Sequence, residues 1–135
     1  MNGTQSALLV GAILGDADAD SLAWSRAIGV VSARAESLSV SLATPLRLQV
    51  EIHVDGRTSP NEFLGARTGR FSRAKSLLVI QVALAKPVSD DPVATVCQLV
   101  GEAVSEAEAY ARRRKIADDL TALRHVVEAL VQTSE

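Results

Sequence analysis

The chain reads as a single α+β domain over residues 1–135, a small three-stranded sheet with helices on one face. Three observations predict this. Residues Leu46–Val54 alternate apolar and polar side chains without a break, the period of a strand with one face on a core. Residues Ser76–Ala85 are mostly apolar on both faces, which marks a central strand covered on both sides. From Val93 onward apolar residues recur at helical spacing, with only Gly101 and no proline to interrupt them.

Taken in order, Ala7–Leu14 is a short apolar run closed by the turn-like Gly15-Asp16. It predicts a buried strand, with a short helix as the alternative. Asp16, Asp18, Asp20 and Ser21 form a turn and helix start, in which Asp20 or Ser21 caps the orphan amides. Trp24, Ala27, Ile28, Val31, Ala35 and Leu38 then share one face of a helix over 21–39. In the strand 46–54, the even-numbered residues face the core, Arg47, Gln49 and Glu51 face outward, and Asp55-Gly56 ends it.

Residues 56–72 are rich in Gly, Arg, Ser, Thr and Pro and read as a long loop, with one helical turn at Pro60–Leu64 capped by Ser59. Loops of that length in a compact domain are often functional. In the next strand, Leu78, Ile80, Val82 and Leu84 share a face, and Lys86-Pro87 closes it. Asp90-Asp91-Pro92 is a helix start, an acid before a proline at the first helical position. Two apolar stripes follow: Val93, Val96, Val100, Val104, Ala107 and Ala111, then Ile116, Leu120, Leu123, Val127 and Leu130. At about 3.6 residues per turn they are out of phase. A bend or break near Arg112–Lys115 is expected, with Asp118 or Asp119 supporting the new start; one continuous helix is the alternative. The order strand-helix-strand-strand-helix-helix resembles a ferredoxin-like arrangement lacking its last strand.

Composition narrows the function. Trp24, Phe63, Phe71 and Tyr110 are the only aromatics, too few for a base-stacking platform. A net charge of −2 gives no bulk attraction to nucleic acid or an anionic membrane. Cys97 is alone, so it forms no disulfide framework or zinc spacing, and it falls on an apolar stripe as a small hydrophobe. Ser6–Leu14 is too short to span a bilayer, and three aspartates follow it; the chain reads as cytoplasmic.

No catalytic constellation stands out. The acidic run 16–20 mimics half a calcium loop, but Ser21 and Ala27 stand where the turn glycine and closing glutamate belong. Gly65–Arg70 is glycine-rich and basic, without the Lys-Ser/Thr of a P-loop, and it leads into a strand rather than a helix. His53 and His125 have no ligand spacing. No cofactor, metal or catalytic residue is therefore assigned.

Charge distribution is more informative. Residues 47–86 carry seven basic and three acidic side chains, between acidic flanks. Arg67, Arg70, Arg73 and Lys75 cluster there, and arginine is suited to carboxylates and phosphates. A second run, Arg112–Lys115, complements the dipole at a helix end. The stretch Phe63–Leu84, with Gly69-Arg70-Phe71-Ser72, basic residues and then an apolar strand, resembles the corresponding stretch of small bacterial immunity-type proteins of polymorphic toxin systems. That resemblance, over about residues 63–86, implies a non-enzymatic protein that works by binding a partner protein.

The reading that follows is a protein-interaction domain, with partner-binding candidates Arg67, Arg70, Arg73 and Lys75 on the loop. Leu120, Leu123 and Val127 join them, because the second stripe promises an apolar patch that the sheet has no room to cover, and hence a homodimer or a partner there. The other reading is a small enzyme or ligand-binding domain with a cleft between sheet and helices, using His53 with Glu51 or Arg47.

Overall fold

The computed structural model describes residues 8–14, 18–38, 46–54, 66–84, 88, 90–116 and 120–133. Its elements are β1 (Leu8–Leu14), α1 (Ala19–Ser37), β2 (Arg47–Val54), β3 (Ala66–Ser72), β4 (Leu77–Leu84), α2 (Pro92–Arg114) and α3 (Thr121–Thr133). The α+β class stands, but the sheet has four strands, in the order β1-β2-β4-β3. Strands β1, β2 and β4 run parallel, and β3 is antiparallel to β4.

The extra strand, β3, lies inside the segment expected to be a loop. Its hydrogen-bonded register with β4 breaks between Thr68 and Arg70, a bulge at Gly69. A Cβ on Gly69 would come within 3.1 Å of the Gln81 side chain and 3.3 Å of the Val79 carbonyl, so glycine leaves Gln81 its room. Gly69-Arg70-Phe71-Ser72, expected within the long loop 56–72, is strand; the turn is Arg73–Ser76, with Ser76 at positive φ. The helical turn expected at 60–64 falls outside the described residues. The likeness to a ferredoxin-like arrangement also fails. There the βαβ unit is split by an intervening strand, whereas β1 and β2 are hydrogen-bonded neighbours.

Leu46, just before β2, and Leu48, Val50, Ile52 and Val54 within it are buried as the alternation requires. They meet Leu8 and Val10 of β1, Leu78, Ile80, Val82 and Leu84 of β4, and the helices in one core. Strand β4 is central, and Val79 on its other face is also buried.

Helix α1 begins two residues earlier than expected because Asp18, not Asp20 or Ser21, is the cap: its Oδ1 accepts from the Ser21 amide at 2.9 Å. Trp24, Ala27, Ile28, Val31 and Ala35 then face the core. Helix α2 starts as read, with Asp91 accepting from the Ala94 amide at 3.1 Å and Pro92 in the first turn.

The two stripes are out of phase because the chain breaks. Lys115 adopts the left-handed conformation (φ 54°, ψ 40°), and the Ile116 amide donates back to the Ala111 carbonyl at 3.0 Å. This closing motif ends α2, and α3 turns back along it. Val127 sits 3.4 Å from where a Cβ on Gly101 would be, so the glycine admits α3 closely. Arg124 Nε donates to Glu108 Oε1 at 2.7 Å across the same contact.

The second stripe is therefore covered by its own chain. Leu120, Leu123, Val126 and Leu130 are buried in the common core, and Val127 and Ile116 are half-buried against it. The expectation of an uncovered stripe is corrected here: helix α3 packs on α1 and α2 rather than competing for the sheet. Among the described residues no helix is long and apolar enough to cross a membrane.

Candidate functional site

Two regions of the surface concentrate polar chemistry, and topology builds both. The first is the face of the sheet that carries no helix. Glu51, Gln81 and Arg67 occupy one transverse row on β2, β4 and β3. Arg67 Nε donates to Gln81 Oε1 at 3.1 Å, Gln81 Nε2 donates to Glu51 Oε1 at 3.4 Å, and Gln49 Nε2 donates to Glu51 Oε2 at 3.2 Å. His53 Nε2 lies 3.8 Å from Glu51 Oε1. Arg47, Gln49 and Glu51 are half-buried rather than exposed; for Gln49 and Glu51 the reason is that these side chains cover one another.

His53 thus belongs to the helix-free face and does not point between sheet and helices, where the cleft of the enzyme reading was expected. A groove between α2 and α3, lined by Gly101, Val104, Ser105, Arg124, Val127 and Glu128, encloses about 210 Å³. That is below the several hundred Å³ usual for a small-molecule site, and neither histidine lines it.

The second region is a basic corner. Strand β4 and helix α2 are consecutive and antiparallel in their packing on one another, so the end of α2 returns to the β3–β4 turn. Phe71 of β3 and Tyr110 of α2 meet there, ring centroids 6.4 Å apart and planes tilted by 56°. One turn earlier on α2, Glu106 Oε2 accepts from Thr68 Oγ1 at 2.9 Å and fixes the same pairing of strand and helix.

The ring pair carries arginines on both sides. Arg73 lies over Phe71 at 5.8 Å, and Arg113 and Arg114 lie over Tyr110 at 6.0 and 5.7 Å. Each such contact is worth about 0.5–1 kcal/mol at an exposed site. Arg70 and Lys75 flank Arg73 in sequence, and Arg112 and Lys115 flank the other pair; all seven cations are exposed. Among the described residues, none of the seven has a carboxylate partner. Ion pairs between described residues are Arg124–Glu108 and the long His53–Glu51 contact.

The corner thus brings one of the four loop candidates, Arg73, to the same ring pair as Arg113 and Arg114, part of a run whose sequence points to the helix dipole; Lys75 is on the same turn, whereas Arg70, paired with Val79, belongs to the helix-free side of the sheet. Arg67 is on the same strand but is engaged in the polar row. Leu120 and Leu123 are core residues, and Val127 lies in the α2–α3 seam, so these three do not share a surface with the cations. Nothing in the spacing of 67–75 and 112–115 announces their meeting; only the hairpin and the returning helix bring it about.

Cys97 is buried, and its Sγ donates to the Leu130 carbonyl at 3.8 Å. Burial pushes the thiol above its ordinary value, with Arg34 opposing and Asp91 reinforcing the shift. Comparison with family models, with curated proteins and with solved structures finds no match.

Proposed function

We propose that this chain is a non-enzymatic interaction domain that binds an acidic surface of a partner protein through the basic corner. The observation that carries the reading is that exposed Arg73, Arg113 and Arg114 lie over the rings of the Phe71–Tyr110 pair, with no carboxylate partner among the described residues. Like charges held together repel one another, and the local fold gains little from them beyond ring contacts and the helix dipole. An acidic partner removes that repulsion, and planar guanidinium groups match carboxylates in bidentate geometry. Arginine and aromatic side chains are also the residues that most often dominate protein interfaces.

The resemblance of residues 63–86 to immunity-type proteins agrees with such a role, since its implied partner is a protein. In that reading the occupant of the corner is an acidic face of a toxin or another conflict-system component, met in a bacterial cytoplasm.

Fluorescence anisotropy with a labelled glutamate-rich peptide, and in parallel a labelled single-stranded DNA of equal length, tests the proposal. The peptide should bind with an affinity that falls with salt, and Arg73→Glu/Arg113→Glu/Arg114→Glu should weaken it at least ten-fold. Peptide binding that survives the triple reversal, or DNA binding tighter than peptide binding, would overturn it.

A further inference from the structure

We propose that the acidic surface taken by the basic corner is the opposite end of a second copy of this chain, so that copies associate head to tail. The inference rests on the reading of the corner as a site for carboxylates, and it names their source.

Topology sorts the charges between the two ends of the sheet. Helix α1 follows β1 and α2 follows β4, and these strands are parallel, so both helices start beyond the carboxyl ends of the strands. Asp18, Asp20, Asp90 and Asp91 stand there, all exposed. Asp18 and Asp91 cap their helices. Among the described residues, Asp20 and Asp90 have no side-chain hydrogen bond or ion pair. Counted by sequence, the connections leaving the strands at this end, 15–18, 55–65 and 85–91, hold six acidic side chains against Arg57 and Lys86. At the other end, the connections 38–46, 73–76 and 115–120 with the last turn of α2 hold six basic side chains against Asp118 and Asp119.

One chain cannot bring its own two ends together. Helix α2 alone runs from the Asp91 cap to Arg114 over 23 residues, roughly 35 Å at ~1.5 Å each. That is far beyond the reach of an ion pair, so the corner finds these carboxylates only on another molecule. The cations and the acids suit one another, since planar guanidinium groups take carboxylates in bidentate geometry.

Two arrangements bring unlike ends together. Side by side, with α2 antiparallel to α2, Asp91 lies opposite Arg113 of the second copy only about an axis at Glu102. That exposed carboxylate then faces its own copy, and like charges so placed repel. End to end, the corner of one copy meets the helix starts of the next and no such clash arises. The contact is heterologous, so each added copy leaves one acidic and one basic end open to further growth.

Sedimentation velocity with charge-reversed variants tests the proposal. At ~0.02 M salt the wild type should show a mass above the 14.2 kDa of one chain that keeps rising with concentration, and at ~0.5 M salt it should return to one chain. Arg73→Glu/Arg113→Glu/Arg114→Glu reverses the corner, and Asp20→Lys/Asp90→Lys, which touches neither cap, neutralises the acidic end. Each variant alone should associate at least ten-fold more weakly than wild type. An equimolar mixture of the two should form one-to-one pairs, because one keeps the acidic end and the other the basic corner. Glu102→Lys, midway along α2, should associate as wild type does. A wild type that is monomeric at low salt, a mass that stops at two chains, either variant associating as tightly as wild type, or a mixture that stays monomeric would each overturn the proposal. Should the arginine variant fail to fold, Asp20→Lys/Asp90→Lys against Glu102→Lys decides. The corner is judged separately, by binding of the glutamate-rich peptide to Asp20→Lys/Asp90→Lys, in which it is intact. Peptide binding without self-association of the wild type refutes the head-to-tail contact alone, and no peptide binding refutes the reading on which that contact rests.

Discussion

Replacing Leu123 with alanine separates a helix that belongs to the core from one that waits for a partner. Leu123 is 0% exposed and sits with Leu120, Val126 and Leu130 in the core shared by α1, α2 and the sheet. The substitution removes three buried carbons, about 2.4 kcal/mol of transfer free energy at ~0.8 kcal/mol each. The cavity left behind adds to this, by ~24 cal/mol per Å³ that the surroundings fail to fill. Helix α3 is held to α2 along one seam, so partial collapse is available, and a total of about 3–4 kcal/mol is expected. With a urea slope of ~1–3 kcal/mol/M, the unfolding midpoint falls by roughly 1–4 M. The assay is urea unfolding followed by far-UV circular dichroism, with light scattering on the same samples. A loss below ~0.5 kcal/mol accompanied by a change in oligomeric mass would refute the packing argument and return the stripe to an interface.

Two smaller predictions follow from single side chains. Asp91→Ala removes the cap of α2 and should cost about 0.5–2 kcal/mol in the same unfolding assay, with Asp91→Asn recovering most of it. Cys97 ties stability to alkaline pH. Its thiol is held neutral in the fold above the usual 9.0, so its contribution is constant below that value, where both states are protonated. As pH rises further the unfolded chain ionises first and stability falls; urea midpoints at pH 7 and pH 10 should diverge for wild type and converge for Cys97→Ala.

Much of the fold is legible in the sequence where one physical signal dominates. The alternation in β2, the two-sided apolar run of β4 and the Asp91-Pro92 start of α2 each answer to a single periodicity or cap. Strand β3 is not legible, because its residues facing the helices, Ala66, Thr68 and Phe71, change parity across the bulge. An edge strand with a polar outer face also supplies no apolar alternation of its own. The second helical stripe is visible, but periodicity shows only that α3 has an apolar face, not what covers that face. Of the candidate site, the hairpin cations are readable as a cluster. Their union with Arg112–Lys115 depends on α2 running back along β4, a fact of topology with no local signature.

The capping acids have a consequence for how the molecule moves toward anything charged. Asp18, Asp20, Asp90 and Asp91 stand at the starts of α1 and α2, beyond the carboxyl ends of the parallel strands, while Arg112–Lys115 and the hairpin cations stand at the opposite pole. The poles are separated by the length of α2, roughly 35 Å at ~1.5 Å per residue. Among the described residues charge is therefore divided between two poles, beneath a net charge of −2 for the whole chain. In a field that varies over a Debye length of ~10 Å, such a body is rotated before it is captured. Its rate of productive encounter should thus depend on ionic strength through torque, with little regard to the sign of the total charge.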